Sequence, residues 1–228
     1  MTSSADLSRI IDHTLLASDT TAERIDSFLE SAVALGVARV CISPSVLPVN
    51  KRGLEIVTVV GFPSGAHKSS IKAAEAAQAI LDGADEIDMV VNQGLVKAAD
   101  WDAVEAEIAA VRAAVPVGNI LKVIIESANL TDAEIVHTAQ AAAAAGADQV
   151  KTSTGYHPAG GASVHAVSLM AKTVAPELGV KASGAIRSAQ AVRDLLAAGA
   201  TRFGVSGTAA ILAEWDGADV EPPSTDAY

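Results

Sequence analysis

Eight short runs rich in β-branched residues, at 9–13, 38–42, 55–60, 85–91, 119–125, 148–152, 179–183 and 202–205, alternate along the chain with amphipathic, alanine-rich stretches at 21–35, 69–82, 98–114, 132–145, 163–175, 188–198 and 207–213. No other feature constrains the fold as strongly. Strands that alternate with helices imply crossover connections and a parallel sheet. Eight such units in 228 residues fit a (β/α)8 TIM barrel at its compact end. A doubly wound open sheet is the alternative, but its glycine-rich nucleotide fingerprint is missing. The glycines of YHPAGGAS (156–163) neither follow the G-x-G-x-x-G spacing nor leave a strand directly.

The units also resemble one another. LGVARVCIS (35–43), DGADEIDMV (82–90), GADQVKTSTG (146–155) and AGATRFGVS (198–206) share one outline, on the second, fourth, sixth and eighth strands. In each, a glycine closes the preceding helix, and five residues later comes Cys41, Asp88, Lys151 or Gly204. Gly36, Gly83, Gly146 and Gly199 suit the left-handed stop after a helix. Thr20 with Glu23, and Thr131 with Glu134, carry the spacing of a capping box. The domain is placed at 1–220, followed by a mobile acidic tail, EPPSTDAY (221–228), with two prolines and no apolar periodicity.

Composition limits the function. A net charge of −11 without any lysine–arginine cluster argues against nonspecific nucleic-acid binding. No apolar run is long enough to span a bilayer and no signal sequence opens the chain, so no membrane role and a cytoplasmic location are expected. Cys41 is the only cysteine, which leaves no intramolecular disulfide and no cysteine-based metal site. The five histidines are scattered without ligand spacing, so neither a metal nor another cofactor is expected. Aromatic residues make up 3% of the chain, so the core must be built from Ala, Val, Leu and Ile.

Against that background the lysines stand out. Of eight, three fall in strand candidates: Lys122 in ILKVIIE, Lys151 in DQVKTS and Lys181 in GVKASG. Strands of a parallel sheet are covered on both faces and ordinarily read as continuous aliphatics. Each lysine could simply reach out to water at a strand end. Three together, with Asp88 on another strand, favour a shared site instead. Period-two alternation puts Lys151 on one face with Gln149 and Ser153, and Lys181 with Ser183. Neighbouring sixth and seventh strands would bring the two ammonium groups together, where burial and like charge both disfavour protonation. A neutral lysine is the nucleophile that forms a Schiff base with a carbonyl, and a carboxylate such as Asp88 could move protons at the adjacent carbon. SGAIRSAQ (183–190) and GVSGTAA (204–210) each lead from a late strand into a helix, where many barrels hold phosphate; ordinary tight turns are the alternative. Cys41 reads as a small buried hydrophobe, and His13 as a residue that satisfies core hydrogen bonds.

Taken together, IDHTLL (11–16), GFPSG (61–65), DEIDMVVN (85–92), LKVIIE (121–126), VKTSTG (150–155), KASGAIR (181–187) and RFGVSG (202–207) resemble the deoxyribose-phosphate aldolases. The resemblance implies a class I, Schiff-base aldolase that reversibly cleaves 2-deoxy-D-ribose 5-phosphate into acetaldehyde and D-glyceraldehyde 3-phosphate. It implies Lys151 as the Schiff-base lysine, Asp88 and Lys181 in proton transfer, and Lys122 lining the pocket and orienting Asp88. Phosphate would lie at Gly184, Ala185, Ser206 and Gly207, and Tyr228 on the tail would assist proton relay. The partners implied are these small molecules, with a homodimer open. Ala185 departs from the family's usual glycine, which narrows backbone freedom in that loop. The connection SPSVLPVNKRGLE (43–55) is shorter than is usual for the family, and the second barrel helix is expected to be reduced to a turn. A barrel acting on a different sugar phosphate, or one that only binds phosphate, are the competing readings; the intact set of Asp88, Lys151 and Lys181 speaks against the second.

Overall fold

The computed structural model describes residues 3–218. Strands β1 (Ile11–Leu15), β2 (Arg39–Ile42), β3 (Glu55–Val60), β4 (Glu86–Val90), β5 (Ile120–Ile124), β6 (Gln149–Lys151), β7 (Gly179–Ser183) and β8 (Arg202–Val205) pair in sequence order. All pairs are parallel, and β8 returns to β1 to close the barrel. The outer ring holds α2 (Ala22–Ala34), α3 (Ser69–Leu81), α5 (Trp101–Ala114), α6 (Asp132–Ala144), α7 (Val164–Val174), α8 (Ala189–Ala197) and α9 (Thr208–Trp215). Two short helices, α1 (Ser4–Ser8) and α4 (Gln93–Lys97), complete it. As the short connection implied, only a 3-10 turn at Pro44–Val46 stands between β2 and β3.

Most expected boundaries hold to within a residue or two, and the exceptions have local causes. The stretch 98–114 is not one helix. Ala99 takes a left-handed φ of 54°, and Asp100 restarts the helix by accepting from the Ala103 amide at 3.2 Å. The cap of α2 is Thr21, which accepts from Arg24 N. Thr20 instead donates its hydroxyl to Ala17 O at 2.6 Å, closing the preceding turn. The capping box at Thr131 and Glu134 forms in full. The first strand begins two residues later than 9–13, because Ser3 caps the unexpected helix α1 and a turn from Ile10 N to Leu7 O follows it. The four repeat glycines all adopt positive φ at the ends of their helices.

Strand alternation sorts side chains into two cores. Val40, Ile87, Val123, Val180 and Phe203 point outward and join helix residues such as Leu29, Ile108 and Met170 in one continuous apolar layer. At about 1.5–3 kcal/mol for each fully buried large aliphatic side chain, this layer is the main favourable term. Alanine-rich α6 buries Ala139, Ala141 and Ala142. The inward set differs sharply. Ladder neighbours share a face, so the pairs Asp12↔Gly204, Asp88↔Lys122, Lys151↔Lys181 and Lys181↔Arg202 define a charged interior over strands β4–β8 and β1. On β2 and β3 the interior is apolar, with Cys41, Val57 and Val59 packed against Leu16 and Phe62.

Candidate active site

The repeated fifth positions all face the barrel axis. Asp88, the centre of the cluster, is fully buried in the middle of β4. Its Oδ1 accepts from Lys122 Nζ at 2.8 Å, and its Oδ2 accepts from both Lys151 (2.8 Å) and Lys181 (2.7 Å). Burial alone would raise the carboxyl, but the three ammonium groups outweigh it and hold Asp88 well below the usual carboxylate range. Gly204 leaves room for this arrangement: a β-carbon there would stand 3.2 Å from Lys181 Cε and from Ser183 Cβ.

The two lysines that share one carboxylate oxygen differ in basicity. Burial pushes Lys151 down; Asp88 pulls it back, and the Lys181 charge lowers it further. Lys181 is also desolvated, yet Asp12 and Asp88 together drive it above the ordinary lysine value. It meets Asp12 Oδ2 at 2.5 Å in addition to Asp88. Lys151 is therefore the weakly basic amine and Lys181 the fixed cation. For Lys151, burial is a larger cause than the neighbouring charge.

Three members of the interior network were not singled out from sequence. Asp12 pairs with Lys181 and with Arg202 Nη1 at 2.8 Å. Glu86 pairs with Lys122, with Arg202 and, through Oε1, with Arg39 at 3.2 Å. The signal was available: each is a charged residue inside or at the start of a buried strand, the anomaly that drew attention to the lysines. Glu126, the last residue of LKVIIE, also went unassigned. It is buried at a left-handed φ of 56°, and its carboxylate accepts from the hydroxyl (2.6 Å) and amide of Thr154, fixing the loop that leaves Lys151.

The loops after β7 and β8 lie where expected. Gly184 and Ala185 both have positive φ, 83° and 59°, so the alanine takes the left-handed conformation that a glycine would take. Gly207 caps α9, which begins at Thr208. Thr208 Oγ1 lies 2.8 Å from His13 Nδ1, tying this loop to β1. Tyr156, from the loop after β6, donates to Leu16 O at 2.9 Å and meets Phe62 edge-on at 5.3 Å. It borders a cavity of about 430 Å³ that also touches Leu16 and Phe62. Cys41 is buried and its thiol is pushed up by desolvation, in keeping with an inert side chain. Tyr228 and the tail 221–228 lie outside the described residues. Among the described residues no helix is long and apolar enough to cross a membrane, and no group of three or more His, Cys, Asp or Glu is arranged to hold a metal.

Fold and buried cluster together define a (β/α)8-barrel enzyme of the carbon–carbon lyase class. More narrowly, the model of the DeoC/LacD family aldolases matches residues 8–217, and the chain belongs to that family. It is 55% identical over 213 residues to a deoxyribose-phosphate aldolase of Kocuria rhizophila, covering 93% of this chain and 98% of that one. The identity is 56% over 215 residues to the protein of that name from Corynebacterium diphtheriae, with 94% and 99% covered. Among solved structures, a tetrameric deoxyribose phosphate aldolase from Aeropyrum pernix superposes with a TM-score of 0.88 at 31% identity, over 95% of this chain and 94% of the other.

Proposed function

We propose that this chain is a class I aldolase that reversibly cleaves 2-deoxy-D-ribose 5-phosphate into acetaldehyde and D-glyceraldehyde 3-phosphate, with the imine formed on Lys151. The observation that carries this assignment is the asymmetry of the lysine pair on Asp88 Oδ2: Lys151 is lowered and Lys181 raised. A neutral Lys151 Nζ adds to the open-chain C1 aldehyde, and loss of water gives the protonated imine. That cation accepts the electron pair of the C2–C3 bond as the C3 hydroxyl gives up its proton. The three-carbon aldehyde leaves, and the lysine keeps the two-carbon enamine. Protonation at C2 and hydrolysis of the imine then release acetaldehyde and restore the amine.

Asp88 and Lys181 serve these proton transfers. Asp88 is a weak base beside its lysine partners, and it takes its part through water in reach of the substrate. Lys122 lines the pocket and orients Asp88. The backbone of Gly184 and Ala185, after β7, and of Ser206 and Gly207, at the start of α9, receives the phosphate. Tyr228 assists exchange at the enamine carbon. A cytoplasmic homodimer belongs to the same reading; Ile71 and Leu81, exposed on α3, offer an apolar contact surface that light scattering can test.

The decisive experiment is borohydride reduction in the presence of acetaldehyde, followed by peptide mapping. The adduct is expected on Lys151, and Lys151→Ala should lose both adduct and turnover. An adduct on Lys181 or Lys122 would reverse the assignment of roles.

A further inference from the structure

The charges inside the barrel form a closed ring. From Asp12 on β1 it runs through Lys181 on β7 to Asp88 on β4, and from the other Asp88 oxygen to Lys122 on β5. Lys122 bridges to Glu86 on β4, Glu86 Oε2 meets Arg202 Nη1 of β8 at 3.3 Å, and the same nitrogen returns to Asp12 Oδ1 at 2.8 Å. Three carboxylates thus alternate with three cations, and their formal charges cancel. Arg39, at the rim, is matched by Glu55 and touches Glu86 from outside. All six ring residues are buried.

Lys151 is the fourth cation and is not part of the ring. Its carboxylate contact among the described residues is Asp88 Oδ2, already occupied by Lys181. The other groups that act on it are the Lys181 cation on β7 and Cys41 on β2, whose thiol burial keeps protonated. In a low-dielectric interior one uncompensated charge is costly. A neutral ring leaves nothing for a protonated Lys151 to balance.

We propose that Glu86 and Arg202, neither of which forms an ion pair with Lys151, are positioning residues that set the proton affinity of Lys151 through the charge of this ring, Arg202 favouring the nucleophilic amine and Glu86 offsetting it so that the ring stays neutral. The inference rests on the reading of Lys151 as the Schiff-base lysine and adds two residues to which no role in the reaction has been assigned. Its distinguishing content is a sign. Removing an anion from the ring leaves it positive and favours the neutral amine; removing a cation leaves it negative and favours the ammonium. A purely structural role would move both variants the same way.

The test is the pH dependence of reductive trapping of acetaldehyde at Lys151 in the intact chain, read as the pH of half-maximal rate so that a reduced folded fraction does not enter. Glu86→Gln should move the half-point to lower pH and Arg202→Met to higher pH. At a fixed pH on the slope, trapping should be severalfold faster and severalfold slower, respectively. Arg202→Lys keeps the charge and should stay near wild type. The double variant, Glu86→Gln with Arg202→Met, restores neutrality and should return close to the wild-type half-point; it also serves if either single variant folds poorly. Shifts in the same direction, no shift, or a double variant displaced as far as either single one would overturn the proposal while leaving the aldolase reading intact. A wild-type protein not trapped at Lys151 would instead overturn that reading and this inference with it.

Discussion

Acid should destabilise this protein well before its carboxylates protonate, and His13 is the reason. The imidazole is buried on β1, stacked on Phe28 at 4.3 Å, with Nδ1 bonded to Thr208 Oγ1. Among the described residues no carboxylate compensates a charge there, and burial depresses its pKa to about 4. Between the ordinary value of about 6.5 and 4, the unfolded chain takes up a proton that the folded one refuses. Stability must therefore fall as pH drops through this window, and the loss levels off below pH 4. At 1.36 kcal/mol per pKa unit the full penalty is about 3 kcal/mol, of which about 2 kcal/mol has accrued at pH 5. The assay is urea unfolding at pH 7.5, 6, 5 and 4.5, for wild type and His13→Gln. The variant should start less stable, because the Phe28 stack is lost, but should fall less steeply by about 2 kcal/mol between pH 7.5 and 5. Parallel curves would refute the reasoning, since they would place the acid sensitivity elsewhere.

Two further outcomes follow from the same structure. Ser206→Glu puts a negative charge where the phosphate is assigned, so KM for D-glyceraldehyde 3-phosphate should rise at least tenfold, with a much smaller effect on an unphosphorylated acceptor; equal losses in steady-state assays would refute the site. Lys72, fully buried on α3, donates to Val90 O at 2.7 Å and to Glu107 at 2.8 Å, while Glu107 also accepts from Asn92 N at 2.8 Å. Lys72→Met alone should cost about 3–5 kcal/mol by stranding the carboxylate. With Glu107→Leu added, the loss in urea unfolding should shrink to about 1–3 kcal/mol, the cost of the unpaired Asn92 amide.

The architecture was legible because its cause is local. Short aliphatic runs between capped, alanine-rich helices can be recognised one unit at a time. The lysines were legible as an anomaly for the same reason, since Lys122, Lys151 and Lys181 interrupt strands that should be wholly apolar. The break at Ala99 was not, because a left-handed alanine carries no signature in an otherwise helical pattern.

The roles inside the site belong to tertiary structure. Lys151 and Lys181 look alike in sequence, each a cation in a buried strand beside small polar residues. What separates them is the number of carboxylates each reaches, and that depends on strands far apart in the chain. Asp12 comes to Lys181 and Arg202 only because β8 closes onto β1. Glu86, at the start of β4, looks like a solvated strand end until Lys122 and Arg202 are seen to converge on it. A charge's partners are set by where the barrel brings its strands, and in a desolvated interior those partners decide which lysine keeps its proton. The sequence by itself determined that charges would lie along a barrel axis; closure of the barrel decided that six of them cancel and that the seventh, Lys151, is left over.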